Sequence, residues 1–231
     1  MNAPTLHYHP LSSCCHKVLI AVSLLGAEVN LRLLNLGDET ERAAFKDLWS
    51  VGKMPLLVDD GQTIPETSII IEHLQRHHAQ GGRTLIPQDD ADAALQVRLW
   101  DRLLDQYVMT PMQALTADLL RPEGERDALG VAQARERLLS TYALIDRQLQ
   151  GTRAWLVDSD FSMADCAAAP ALFYAVTYVP LPSEHRQLAA YFDRLMDHPA
   201  VSLTVDQARP WFRFYPGRAG LDRRFFDPAA A

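Results

Sequence analysis

The sequence is short of several things, and each shortage narrows what the chain can be. It has only three cysteines, Cys14, Cys15 and Cys166, two of them adjacent. Sequence neighbours rarely bridge each other and an odd count leaves a thiol over, so no disulfide framework holds this fold. That usage suits a reducing compartment and sets the expectation of a cytoplasmic protein. A long uninterrupted apolar run is missing too. The most apolar stretch, residues 164–182, is broken by Asp165, Pro170 and Pro180, which argues against a membrane span. Residues 1–10 contain no apolar core of signal-peptide length. Surplus positive charge is also absent. The formal net charge is −7, so the chain as a whole offers no electrostatic footprint for nucleic acid or an anionic membrane.

What is present is ordinary globular material in an informative order. With 231 residues, 48% hydrophobic and 22% charged, the chain has enough apolar content for two modest domains with real cores. Leu6 to His9 reads as a short strand ended by Pro10, after which Ser12 or Ser13 stands ready to cap a helix carrying Val18, Val22 and Leu25. Gly26 stops that helix, and Val29, Leu31 and Leu33 alternate as a second strand. A polar helix follows over roughly 39–48. Between Pro55 and Pro65, two short β runs flank Asp60 and Gly61, a hairpin signal. Thr67 or Ser68 then leads into a helix with Ile69, Ile70 and Leu74, ending near His78.

The order β-α-β-α-β-β-α predicts an α/β layered domain over residues 1–80, and the polar, turn-rich residues 81–90 read as a linker. From 91 to 231 the helical period takes over. Leu95, Leu99, Leu103 and Tyr107 line one helix face, and Leu138, Tyr142, Ile145 and Leu149 line another. Ser162 to Asp165 has the form of a capping box. The helix it opens, residues 164–178, is apolar nearly all round, as the buried centre of a bundle would be.

Three stretches carry chemistry. Residues 10–17 place hydroxyls and thiols at the positive end of a helix, where free N–H groups and the dipole stabilise an anion. A plain serine cap followed by two core cysteines is the competing reading. Lys53, Met54 and Pro55 open a strand. With a cis bond at Pro55 the Met54 backbone would face outward, able to pair with an extended peptide. Glu66, Thr67 and Ser68 start another helix, where Glu66 suits the dipole and could also meet an ammonium group.

Taken in register, Ser12, Ser13 and Cys15 before the first helix, Lys53-Met54-Pro55 before a hairpin, Glu66-Thr67 before Ile69 to Leu74, and the Ser162–Asp165 box resemble the cytosolic glutathione transferase family. The resemblance runs from Leu6 to about Gln207. It implies a thioredoxin-like N-terminal domain that binds glutathione and an all-helical C-terminal domain that shapes the pocket for a second substrate. The serine-based zeta, theta and delta classes are most similar. Ser12 to Val18 resembles the zeta pattern, departing at His16, where that class has Trp, and at Leu19, where it has Arg.

By that resemblance Ser12 hydrogen-bonds the glutathione sulfur. Met54, with Pro55 in cis, pairs its backbone with the cysteinyl unit. Glu66 and Thr67 take the γ-glutamyl ammonium and carboxylate, and Lys53 lies near the glycyl carboxylate. Ser13, Cys14 and Tyr8 are reserve candidates beside the thiol. Leu11, Tyr107 and Met112 are candidates for the second-substrate wall. The nucleophile is the glutathione thiolate and the second substrate a small apolar electrophile, in a detoxifying role. The partners expected are these two small molecules and a second copy of the chain, without nucleic acid, membrane or metal.

Two other functions fit the same fold. One is a glutathione-dependent thiol-disulfide or isomerase activity, and the other is a non-catalytic binding module. Cys14 or Cys15 at the helix start would serve the thiol-disulfide chemistry. His73 and His77, at i and i+4, lack a third ligand in the sequence and read as a solvated face. The tail from Arg209 to Phe226 interleaves arginines with aromatics, a pattern best accounted for by packing back onto the molecule.

Overall fold

The computed structural model describes residues 3–35, 37–81, 83–151 and 153–226, with Phe226 described by its backbone alone. The chain divides into two compact units, Met1–Leu85 and Ile86–Ala231. Leu85 and the turn before it fall with the first unit, where the Leu85 N–H donates to the side-chain oxygen of Gln75.

The first unit is a four-stranded mixed sheet with helices. In chain order it runs β1 (Thr5–Tyr8), α1 (Ser13–Leu25), β2 (Asn30–Leu33), α2 (Glu39–Leu48), β3 (Leu56–Asp59), β4 (Gln62–Ile64) and α3 (Thr67–His77). The strand order is β2-β1-β3-β4, with β1 parallel to β2 and antiparallel to β3. Asp60 and Gly61, at φ 45° and 81°, supply the two positive angles that the tight β3–β4 turn needs. Alternation along β1 sorts the two faces of the sheet. His7 pairs with Leu56, and both lie on the face where Leu34, Phe45 and Leu56 form a cluster. Leu6 pairs with Leu57, and both are fully buried on the other face. Gly26, at φ 61°, ends α1 with its N–H on the carbonyls of the last turn.

The second unit is all helix: α4 (Ala91–Leu104), α5 (Thr110–Leu119), α6 (Ala128–Gln148), α7 (Met163–Ala175), α8 (Arg186–Asp197), α9 (Pro199–Ala208) and the short α10 (Arg223–Phe226). Helices α4 and α5 are continuous through a π-helical turn, Asp105–Met109. Pro111 explains that turn. It has no N–H for the carbonyl four residues back and its ring crowds that carbonyl, so the ladder widens to let the helix continue.

The apolar stripe read on α4 does not face the core. Leu95, Leu99 and Tyr107 are 60%, 46% and 46% exposed, while Ala94, Val97, Trp100 and Leu104 point inward. The helix carries two apolar stripes, and periodicity alone does not say which is buried.

Every residue of α7 is buried, as its all-round apolarity requires. It ends at Ala175, and the expected continuation to Tyr178 is turn. Its start is held by Asp165, which is 0% exposed. One carboxylate oxygen accepts from the Leu156 N–H and the Tyr191 hydroxyl, the other from the N–H and hydroxyl of Ser162. Burial pushes this carboxyl upward in pKa and the four donors oppose the shift. The tail folds back onto the end of α7. Phe212 and Phe225 meet Phe173, and Tyr215 stacks edge-on against Tyr174 with its hydroxyl 2.8 Å from that of Thr177. Gly220 passes so close to the Thr177 carbonyl that a Cβ there would overlap it.

Candidate functional site

Ser12 is the N-cap of α1. Its backbone is extended (φ −79°, ψ 114°) and its side-chain oxygen accepts the Cys15 N–H at 3.3 Å. Ser12 rather than Ser13 is thus the cap: the latter is the first helical residue and is buried. Because Ser12 Oγ accepts from the helix, its own hydroxyl proton is available to donate elsewhere. The turn leading to it is tied from below. His16, 2% exposed, donates from Nε2 to the Pro10 carbonyl at 2.6 Å. The Ser12 N–H donates to the His9 carbonyl, and the Leu11 N–H to His9 Nδ1.

The other two stretches reach the same end of the sheet. The β1–β3 register pairs His7 with Leu56, so Pro55, one residue before β3, stands beside the end of β1 from which the Ser12 turn departs. The Met54–Pro55 peptide is cis, with Pro55 buried and Met54 half-buried. Lys53 is exposed next to them. Lys17, wholly buried on the second turn of α1, donates from Nζ to Ser68 Oγ at 3.0 Å, which draws the start of α3 against α1. Two helix N-termini therefore converge at one edge, a place that favours negative charge. Glu66 caps α3 with no side-chain capping bond and with φ at 68°, an angle rare for a residue with a side chain. Backbone strain of that kind collects where function needs a particular geometry. Neither Thr67 nor Ser68 is the cap; both are within the first turn.

The reserve candidates differ in fitness. Burial, with a smaller contribution from neighbouring Cys15, raises the pKa of the half-buried Tyr8 in β1 above its ordinary value. Cys15 is buried and its thiol is pushed up to about 12, chiefly by desolvation. Cys14 is half-buried. Leu11 is half-buried in the turn. Of the two wall residues in the helical unit, Met112 is buried with its sulfur 3.7 Å from the Thr116 hydroxyl. Tyr107 lines an open cleft of about 800 Å³ with Leu103, Arg137, Thr141 and Leu144.

Sequence reasoning missed the positioning roles of His16 and Lys17. The available signal was a polar residue on an otherwise apolar, buried helix face. It also did not single out Asp59 or His78: His73 bonds through Nε2 to Asp59 Oδ2 at 2.7 Å, and His78 reaches the same oxygen at 2.6 Å.

Two sequence profiles match the chain, one for each unit. "Glutathione S-transferase, N-terminal domain" covers residues 6–82 and "Glutathione S-transferase, C-terminal domain" covers 125–194. The chain belongs to the glutathione S-transferase family. Rat maleylacetoacetate isomerase is 29% identical over 171 residues, which span 72% of this chain and 76% of the rat protein. Glutathione S-transferase F13 of Arabidopsis thaliana is 22% identical over 203 residues, 86% of this chain and 93% of its own. A glutathione S-transferase from Methylobacillus flagellatus KT, solved with glutathione bound, aligns at a TM-score of 0.79 and 26% identity, covering 87% of this chain and 98% of that one. The thioredoxin-like unit followed by an all-helical unit is thus the fold of this enzyme family.

His16 gives the turn a pH signature. Burial lowers its pKa from the ordinary 6.5 to about 4. Above the ordinary value both folded and unfolded states are neutral and no stability is lost. As pH falls below it, the unfolded chain takes up a proton that the folded chain refuses, which costs about 3 kcal/mol once pH passes the folded value. His16→Gln keeps a donor for Pro10 and removes the titration. Urea unfolding across that window is expected to show a shallower loss of stability in the variant; parallel profiles would contradict the assignment.

Proposed function

We propose that this chain binds glutathione along the edge formed by the Ser12 turn, Lys53–Pro55 and the start of α3, and turns its thiol into the nucleophile of a transfer reaction. The observation that carries the reading is Ser12 capping α1 through its oxygen while its proton is left to donate. A sulfur placed against that hydroxyl would also meet the positive end of α1. A free thiol near pKa ~8.5 is only a few per cent ionised at neutral pH. Lowering it by about two units needs roughly 2.7 kcal/mol, within reach of one hydroxyl donor plus a helix N-terminus.

The remaining residues bind rather than react. The Met54 backbone beside Pro55 pairs with the cysteinyl unit as an added strand would. Glu66 and Thr67, at the strained start of α3, take the γ-glutamyl ammonium and carboxylate. Lys53 offers its charge to the glycyl carboxylate. The second substrate is a small apolar electrophile, with addition or displacement at carbon and no metal needed for either. The glutathione-bound relative from Methylobacillus flagellatus supports the choice of co-substrate. Three cysteines without a disulfide among them and a net-acidic chain fit a cytoplasmic enzyme that disposes of electrophiles.

A second reading, glutathione-dependent isomerisation, rests on the similarity to the rat isomerase. It would use the same thiolate, adding it reversibly to a conjugated double bond. His16 and Leu19, which replace the Trp and Arg of the zeta pattern, weigh toward transfer. Thiol-disulfide exchange through Cys15 is disfavoured by its buried, high-pKa thiol.

Retention on immobilised glutathione, followed by turnover with a generic aryl halide and with maleylacetoacetate, separates these activities. Ser12→Ala is expected to keep retention and lose up to about 25-fold in kcat/KM at pH 7, the fall in thiolate fraction when the pKa returns from ~6.5 to ~8.5. Activity within about twofold of the parent would move the sulfur contact elsewhere.

We also propose a homodimer built on the exposed stripe of α4. Leu95, Leu99 and Tyr107 are large, apolar and uncovered, and Tyr107 shares its cleft with Leu103 and Leu144. Leu99→Asp should convert a dimer into monomers in sedimentation velocity. A monomeric parent, or an unaffected dimer, would remove this face from consideration.

A further inference from the structure

Asp59, His73 and His78 form a cluster that the glutathione chemistry does not use. Asp59 is the last residue of β3. His73 lies on α3, and His78 is the residue that ends it, with φ −131° and ψ 0°. That departure from helical geometry brings His78 to the side of His73, although the two are five positions apart. His77, the partner that helical spacing suggests, is exposed. Both ring Nε2 atoms donate to one carboxylate oxygen, Asp59 Oδ2, at 2.7 and 2.6 Å. The three ligand-type atoms lie within 4.8 Å of one another. The side chains are 19%, 12% and 11% exposed for His73, Asp59 and His78, so the cluster is sheltered yet open to solvent on one side.

We propose that Asp59, His73 and His78 bind a divalent transition cation, with zinc the best match. Two imidazoles and one carboxylate are the donor set of a three-ligand zinc site whose fourth position holds water. The two nitrogen ligands select against magnesium and calcium, which prefer oxygen. Binding exchanges two hydrogen bonds for coordination. Each neutral imidazole moves its proton from Nε2 to Nδ1 and offers the freed lone pair to the metal, so no net proton is released. Ligand atoms around a tetrahedral zinc are about 3.3 Å apart. Each ring therefore withdraws from Asp59 Oδ2 by roughly 0.6 Å, a small adjustment for side chains at a helix end. One negative ligand leaves the site with a charge of about +1 beside an acidic protein, which aids capture.

The site is separate from the glutathione edge. Asp59 is four residues along β3 from Pro55, roughly 13 Å at strand rise. A bound cation would pin the end of α3 to the β3–β4 hairpin and stabilise the first unit by mass action.

The test uses the full chain, stripped with a chelator and titrated with zinc chloride by calorimetry. One zinc per chain is expected, with a higher Tm, and affinity at least tenfold weaker in Asp59→Asn, His73→Gln and His78→Gln. Circular dichroism identifies any variant that fails to fold, and the folded ones carry the test. Cobalt(II) loading of the parent is an independent check: visible ligand-field bands without thiolate-to-metal charge transfer support this N/O site. Absence of saturable binding, undiminished binding in the folded variants, or a thiolate band from a cysteine such as Cys14 would each overturn the proposal. Glutathione retention by the same variants should match the parent, so failure here is distinguishable from failure of the transferase reading.

Discussion

The proposed function gives one oxygen atom of this protein two duties. Ser12 Oγ accepts the Cys15 N–H at the start of α1, and under that proposal the same hydroxyl points its proton outward to serve a sulfur anion. A carboxylate at the cap would satisfy the helix equally well, but it would repel a thiolate and has no proton to give. Alanine would do neither. Serine is among the few side chains that meet both requirements, and the turn around it is built to keep it still. His16 ties the Pro10 carbonyl from below, and the His9 carbonyl receives the Ser12 N–H.

The electrostatics of the edge follow from packing rather than from surface charge. The chain as a whole is acidic, yet the starts of α1 and α3 are drawn together by the buried Lys17 and Ser68. Two helix N-termini, each the positive end of its dipole, then lie together close to where β3 begins. The sheet register provides the third element, because pairing His7 with Leu56 leaves Met54 and Pro55 beside the same edge. Local charge of one sign is thus obtained inside a protein of the opposite sign, which favours a bound anion without attracting polyanions to the rest of the surface.

Much of this was legible in the sequence because the signals were local. The Asp60–Gly61 turn, the Gly26 stop and the Ser162–Asp165 box each depend on a few neighbouring residues, and each is found in the structure. What was not legible depends on which side of an element is covered. Leu95, Leu99 and Tyr107 recur at helical spacing yet lie outside, since α4 has a second stripe that the core takes instead. His78 joins His73 because the helix ends there, and i, i+4 reasoning stops where the helix does. Met112, a candidate wall residue, is buried, and sequence alone does not give its depth. The positive φ at Glu66 also has no sequence signature, since glycine is the residue that would normally announce it.

The central claim is that the Ser12 hydroxyl and the start of α1 together hold glutathione as its thiolate. The most direct measurement is the ultraviolet absorbance of the bound thiolate, titrated with pH in the parent and in Ser12→Ala. The account requires the parent complex to ionise about two units below free glutathione, and the variant curve to move back most of the way. Superimposable curves, or a parent complex that ionises like free glutathione, would contradict it.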